Sequence, residues 1–214
     1  MTTPVAILRL NALTSYWDEH FEQAFEQFDA ITSSTSENEC REEHHWRGLS
    51  ALRIGKYAEA FQSFQVVVSG DGQNLSALLA MALIKASCPH SSVRDGRYAL
   101  ELAMKASQLV GERAWSVSSV SAAAYAELGD FNQACRHCED ALAIAPHELV
   151  ERFRHRSAQY IRQEPYRMPL DGFDGIVPKK EACRRCGAVA FCHTDRPLCF
   201  DCARTELSPA SDSE

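Results

Sequence analysis

The chain has 214 residues, 45% of them hydrophobic and 24% charged, which is the balance of a globular protein with room for one medium domain and a small module. Its formal net charge of −7 excludes a generic nucleic-acid binder, because such domains are basic. The N-terminal MTTPVAILRLNAL has no basic n-region, no apolar run approaches the roughly eighteen residues of a membrane span, and nine cysteines without a secretion signal suit a reducing compartment, so a cytoplasmic location with no membrane association is expected.

The first three quarters hide a period. HFEQAFEQFDAI (residues 20–31) is a faint first copy, with Ala24 and Phe28 in phase. WRGLSALRIGKYAEAFQSFQVVV (46–68) is a clear second. RDGRYALELAMKAS (94–107) is a third, with Ala99, Ala103 and Ala106. VSAAAYAELGDFNQACRHCEDALAIAP (120–146) is a clear fourth. The two clear copies align Gly55 with Gly129, Tyr57 with Phe131, Ala60 with Ala134, Phe64 with Cys138, Val67 with Ala141 and Gly48 with Ala122. The phased alanines Ala24, Ala60, Ala99 and Ala134 lie 36, 39 and 35 residues apart, a repeat of about 34 residues with small insertions.

Each copy is an apolar stripe at i, i+3, i+4, then glycine, then a second stripe. Glycine ends the first helix at low cost in the left-handed conformation. Asp130 is a good N-cap for the next helix. The aromatic three residues before the alanine (Phe21, Tyr57 and Phe131, and less exactly Tyr98) fills space beside it. One helix pair cannot bury its own apolar face, so the copies must stack.

Gly129, Tyr125, Ala122, Ala134, Ala141 and Pro146 make the pattern similar to the tetratricopeptide repeat family over roughly residues 5–146. The third copy resembles a bacterial variant with a lengthened turn around Cys88 and Pro89. The resemblance implies an all-α, right-handed superhelix of antiparallel helix pairs, a concave groove that binds partner peptides or helices, and no catalysis. Many members grip the acidic tail of a chaperone with lysine and asparagine on successive first helices. Here those faces carry Glu42, His45 and Leu49 in one copy and Ser116, Ser119 and Ala123 in another, so an apolar or mixed helix or peptide is the expected ligand.

Residues 147–163, HELVERFRHRSAQYIRQ, place Leu149, Val150, Phe153, Tyr160 and Ile161 on one face and read as a capping helix that completes a domain over 1–163. Arg152, Arg154, Arg156 and Arg162 read as its solvated face. Residues 164–180 form a linker, since Pro165, Pro169 and Pro178 forbid a continuous helix. Its Tyr166, Met168, Leu170, Phe173 and Ile176 can pack along the array.

Residues 181–204 hold Cys183-x-x-Cys186 and Cys199-x-x-Cys202, twelve residues apart. Four thiolates from two tight knuckles fit tetrahedral zinc, with Zn–S about 2.3 Å, and leave no position for a catalytic water. The spacing resembles a small β zinc ribbon, one structural zinc per chain, in a module too small to fold without its metal. Cys192 or His193 can replace one ligand; the simpler reading leaves both unligated on the hairpin. A redox centre lacks its βαβ context. Residues 205–214, acidic and serine-rich, read as a disordered tail. The module's charge falls to about +1 once zinc and four thiolates are counted, a weak field for phosphates, so nucleic acid is a possible but disfavoured partner.

The remaining constellations read as packing. Cys138 of the Cys135-x-x-Cys138 pair takes the slot of Phe64. Cys40 and His44, beside His45, have no second pair, and Cys88 sits in the lengthened turn. No phosphate loop or nucleophile motif occurs, so no catalytic residue, cofactor-binding residue or small-molecule substrate is assigned. The expected function is a non-enzymatic protein–protein interaction adaptor, with the zinc module as a second recognition surface. The alternative is a nucleic-acid-associated regulator that uses the ribbon. Metal analysis of the purified protein is expected to return one zinc per chain, and a value far below one would overturn the four-cysteine assignment.

Overall fold

The computed structural model describes residues 4–36, 40–110, 114–169, 179–182 and 189–192. The chain divides into two compact units, Met1–Phe173 and Asp174–Glu214. The regular elements described in the first unit are helices: α1 (Pro4–Trp17), α2 (Phe21–Ser34), α3 (Arg41–Arg53), α4 (Tyr57–Gly70), α5 (Leu75–Ser87), α6 (Gly96–Val110), α7 (Trp115–Glu127), α8 (Phe131–Ile144) and α9 (His147–Ile161), with a 3-10 turn at Ser91–Val93. Each helix packs on the next in chain order, and α5 also packs on α7. The expected helix pairs are therefore α1/α2, α3/α4, α5/α6 and α7/α8. In the second unit, β1 (Lys179–Ala182) pairs antiparallel with β2 (Val189–Cys192), Lys179 opposite Cys192 and Ala182 opposite Val189.

The turns follow one rule. Helices α1, α3, α7 and α9 end with a residue at positive φ: Glu19 (62°), Gly55 (72°), Gly129 (80°) and Gln163 (60°). In each case the amide that follows reaches back to a carbonyl in the last turn, at 2.9–3.0 Å: His20 to Ser15, Lys56 to Ala51, Asp130 to Tyr125 and Glu164 to Gln159. This is the Schellman closure, which satisfies orphan carbonyls and reverses the chain. Glycine marks only two of the four. Helix α5 differs: it ends at Cys88, and Arg94 donates to the carbonyls of Cys88 (2.9 Å) and Pro89 (3.1 Å) to hold the longer turn. Side chains cap the starts of α5, α6 and α8. Asn74 Oδ1 accepts from Ala77 N (3.0 Å), Asp95 Oδ1 from Tyr98 N (3.0 Å) and Asp130 Oδ1 from Gln133 N (3.1 Å).

The phased alanines Ala24, Ala60, Ala99 and Ala134 are all fully buried. Around them the copies exchange volume. Phe64 is fully buried, and a Cβ on Gly48 would meet its ring carbons at 2.9 Å. In the fourth copy the matching residues are Cys138 and Ala122, both in one buried cluster with Trp115, Phe153 and Tyr160. A large residue against none and a small one against a methyl fill similar space. Helices α5 and α7 are buried on nearly every side, and their serines and alanines permit the close approach. At the first pair, Tyr16, Trp17 and Trp46 interlock edge-to-face, with Trp17 and Trp46 centroids 5.0 Å apart, and Arg9 of α1 pairs with the buried Glu43 of α3.

Helix α9 departs from its expected faces. Phe153 and Tyr160 are buried, but Ile161 is 71% exposed. Arg156, placed by the sequence on the solvated face, is only 4% exposed, because α9 rotates it toward α7. Two glycine substitutions separate packing from backbone in thermal unfolding. Gly48→Ala is expected to cost about 1–3 kcal/mol through overpacking and to be partly rescued by Phe64→Leu. Gly129→Ala has nothing within 4 Å of its new carbon, so it should lose about 1–2 kcal/mol from the left-handed backbone alone, with no packing rescue.

Candidate functional site

A cleft of about 710 Å³ lies between α6 and α8, floored by α7. Leu100 and Met104 form one bank, Ile144 the other, and Val117 and Tyr125 the floor. Met104 is 64% exposed and Ile144 46%. Gln133, Arg136 and Asp140 add polar groups from α8. His137 stacks on Tyr125, with centroids 5.1 Å apart and planes 11° apart. Burial lowers the His137 pKa, against an opposing pull from Asp140, so the imidazole is neutral at neutral pH and stacks as a flat, weakly polar ring. The cleft is mixed in character: Ser107, Ser118 and Ser121 line it beside His137 and Asp140 as well as the apolar banks.

The face of α7 expected to line an open groove is covered. Ser116, Ser119 and Ala123 are 4%, 7% and 2% exposed, and Leu49 of α3 is buried as well. Glu42 stays exposed. Arg156 lies over this face and donates from Nη1 to Ser119 Oγ at 3.0 Å. Its guanidinium carbon sits 4.0 Å from the ring centroid of Tyr166 and 5.9 Å from that of Phe153. Among the described residues its Nε has no hydrogen-bond partner, and neither has the buried hydroxyl of Tyr160.

Tyr166 belongs to residues 164–169, the start of the expected linker, which run back across the array. Arg167 Nη2 pairs with Glu127 Oε2 at 2.6 Å, and Glu127 Oε1 also accepts from Arg94 Nε at 2.9 Å. Met168 is 2% exposed, and its amide donates to Ser87 O at 2.8 Å. Tyr57 Oη donates to the carbonyl of Pro169. The expectation that Tyr166 and Met168 pack along the array is met by these contacts. Leu170, Phe173 and Ile176 lie outside the described residues. The sequence signal for the strap was the apolar spacing within a proline-rich stretch; nothing in it pointed to Arg156 or Glu127.

Among the described residues no group of three or more His, Cys, Asp or Glu can hold a metal. Cys40 precedes α3 and donates to Ser36 O at 3.1 Å, while Cys88 is fully buried in the lengthened turn. Cys138 is buried and donates to Phe153 O at 3.4 Å. Cys183, Cys186, Cys199, Cys202 and His193 lie outside the described residues; Cys192 enters through its backbone pairing alone. No helix among the described residues is long and apolar enough to cross a membrane. Burial pushes the Cys138 thiol from 9.0 up to about 11, with Arg156 pulling it back less strongly. The folded form therefore keeps its proton longer than the unfolded one. This contribution to stability is complete below about pH 9 and is lost as pH rises to about 11. Cys138 is expected to resist alkylation by iodoacetamide at pH 8 in the folded chain and to react on denaturation, as read by peptide mass. Rapid labelling of the folded chain would contradict its buried place.

No family model and no curated protein matches the chain. Solved structures do match in fold. A structure titled "Crystal structure of MamA protein" aligns with a TM-score of 0.57 at 14% identity, covering 76% of this chain and 89% of that one. The MamA RS-1 ArsTM double mutant aligns with a TM-score of 0.57 at 12% identity, covering 76% and 93%. MamA MSR-1 C2 aligns with a TM-score of 0.52 at 13% identity, covering 74% and 90%. At this identity the likeness establishes the fold, an array of successively packed helices that fits the tetratricopeptide pattern.

Proposed function

We propose that the chain is a non-enzymatic adaptor whose helical array docks a peptide or helix of a partner protein. The mixed cleft between α6 and α8 carries this reading. Its exposed Met104 and Ile144 offer apolar purchase, while Arg136 and Asp140 can pair with a partner's charges. Isolated apolar side chains are ordinary on a surface, but two facing each other across a cleft of this size suit an amphipathic segment. The fold supports the reading as well, since stacked helix pairs present extended surfaces.

The four-cysteine module is proposed to hold one structural zinc through Cys183, Cys186, Cys199 and Cys202 and to serve as a second recognition surface. Its support is the donor set, four soft thiolates in two closely spaced pairs. The antiparallel β1 and β2 flank the stretch that contains Cys183 and Cys186, which suits a metal knuckle. With all four positions filled by thiolate, zinc would supply folding energy and no chemistry.

The test uses the full chain as bait in a nuclease-treated native lysate, beside the Met104→Glu/Ile144→Glu variant. A specific partner should be retained by the native chain and lost by about tenfold or more in the variant, with helical circular dichroism unchanged. Equal retention by both would remove the cleft as the docking surface. Loss of every partner on nuclease treatment would favour the nucleic-acid-associated alternative.

A further inference from the structure

The strap at residues 164–169 stands where a helix would be expected. After Glu19, Gly55 and Gly129 the chain turns into the returning helices α2, α4 and α8. After Gln163 the same closure leads to Glu164, Pro165 and Tyr166. Pro165 can open a helix, but Pro169 cannot extend one, because it lacks an N–H and its ring meets the carbonyl four residues back. The segment instead stays extended and crosses the C-terminal ends of α7 and α5 to the first residue of α4.

It is held as a bound peptide is held. Three successive side chains each enter a distinct seat: the Tyr166 ring on the Arg156 guanidinium, Arg167 on Glu127, and Met168 in a fully enclosed position. Two main-chain bonds fix the register, from the Met168 amide to Ser87 O and from Tyr57 Oη to Pro169 O. Side-chain seats with a few main-chain bonds are the general means of recognising extended segments.

The seat is also incompletely satisfied by this occupant. Arg156 is buried beneath Tyr166, and among the described residues its Nε has no hydrogen-bond partner and no carboxylate pairs with it. A buried donor left unbonded is costly, and an occupant that supplied an oxygen there would bind better than the strap does. The strap itself is short and lies between two prolines, with Arg167 Nη1 turned back on the carbonyl of Tyr166. Segments with so few backbone bonds open locally at much lower cost than helices in the core.

We infer that residues 164–169 occupy, in cis, a binding site for an extended protein segment with an aromatic–basic–apolar triplet, and that a partner segment of this pattern binds there when the strap lifts. This rests on the reading of the array as a receptor for partner segments, and it adds a second seat, apart from the α6/α8 cleft, with its own specificity. Tethering sets the occupancy. A strap joined directly to α9 competes at millimolar effective concentration, and one seated nine-tenths of the time weakens a competing ligand about tenfold.

The probe is a labelled peptide of sequence EPYRMPL, titrated against the full native chain and the full Arg167→Glu chain. The substitution sets a carboxylate against Glu127 and unseats the strap while leaving the seat intact. The peptide should bind the variant at least about tenfold more tightly than the native chain. A peptide with glutamate in place of its arginine should bind neither. Equal binding to both chains, or binding to neither, would overturn the inference. Hydrogen exchange on the native chain supplies an independent reading. The Met168 amide should exchange at least about a hundredfold faster than amides inside α5, and exchange as slow as theirs would make the strap a permanent component of the core. This second reading decides the matter if Arg167→Glu does not fold. Failure of the peptide with loss of partner in Met104→Glu/Ile144→Glu would leave the cleft standing without the strap site; the reverse pattern would leave the strap site without the cleft.

Discussion

At the end of each of α1, α3, α7 and α9, one residue adopts positive φ and the next amide closes back on the helix just finished. The closure satisfies carbonyls that the helix itself leaves orphaned. It also sets the direction in which the chain departs. Three of the four departures become a helix that packs antiparallel on its predecessor, and the fourth becomes the strap. Everything else in the array, including the stacking of pairs and the surfaces left between them, is built on that reversal. Where α5 abandons it, Arg94 ties down the longer turn through two carbonyls and anchors it to Glu127 of the following helix pair.

The packing behind the turns tolerates exchange so long as volume is kept. Gly48 facing Phe64 and Ala122 beside Cys138 are two solutions to one crossing. Each looks eccentric in isolation, a glycine within a helix and a cysteine pair within another. Their pairing removes the eccentricity. Cys138 is a small buried residue with a hydrogen bond to Phe153 O, and its raised thiol pKa is the electrostatic consequence of that burial. The same cluster carries Tyr160, so the last full helix pair and the capping helix share one core.

Burial of Arg156 ties this core to the strap. A guanidinium is planar and weakly hydrated, so it can lie flat beneath an aromatic ring where an ammonium would be poorly accommodated. Ser119 and Tyr166 hold it from two elements that are distant in sequence. At the end of α7, Glu127 acts likewise, shared between Arg94 of a turn and Arg167 of the strap. The two charged residues thereby link the end of α9, the end of α7 and the turn after α5. The cleft between α6 and α8 lies on another face of α7 and keeps its apolar banks exposed, so the array offers two surfaces of different chemistry.

The repeat was legible in the amino-acid order because helical period, glycine at the turn and alanine at the crossing are local demands. Asp130 as a cap, the buried phased alanines and Cys138 in the place of Phe64 follow from them directly. The closures at Glu19 and Gln163 were not legible, since neither residue favours positive φ and only the surrounding structure holds them there. The faces of α9 were partly misread, because a helical projection assigns every arginine alike to water. Whether a given arginine is solvated depends on what approaches it from elsewhere, and here Ser119 and Tyr166 approach Arg156. Sequence by itself determined that the chain is an array of helix pairs, through periodic burial and turn chemistry. Only tertiary structure decided which faces of that array stay open, because the strap and the helix it covers meet through long-range contacts that no local pattern encodes.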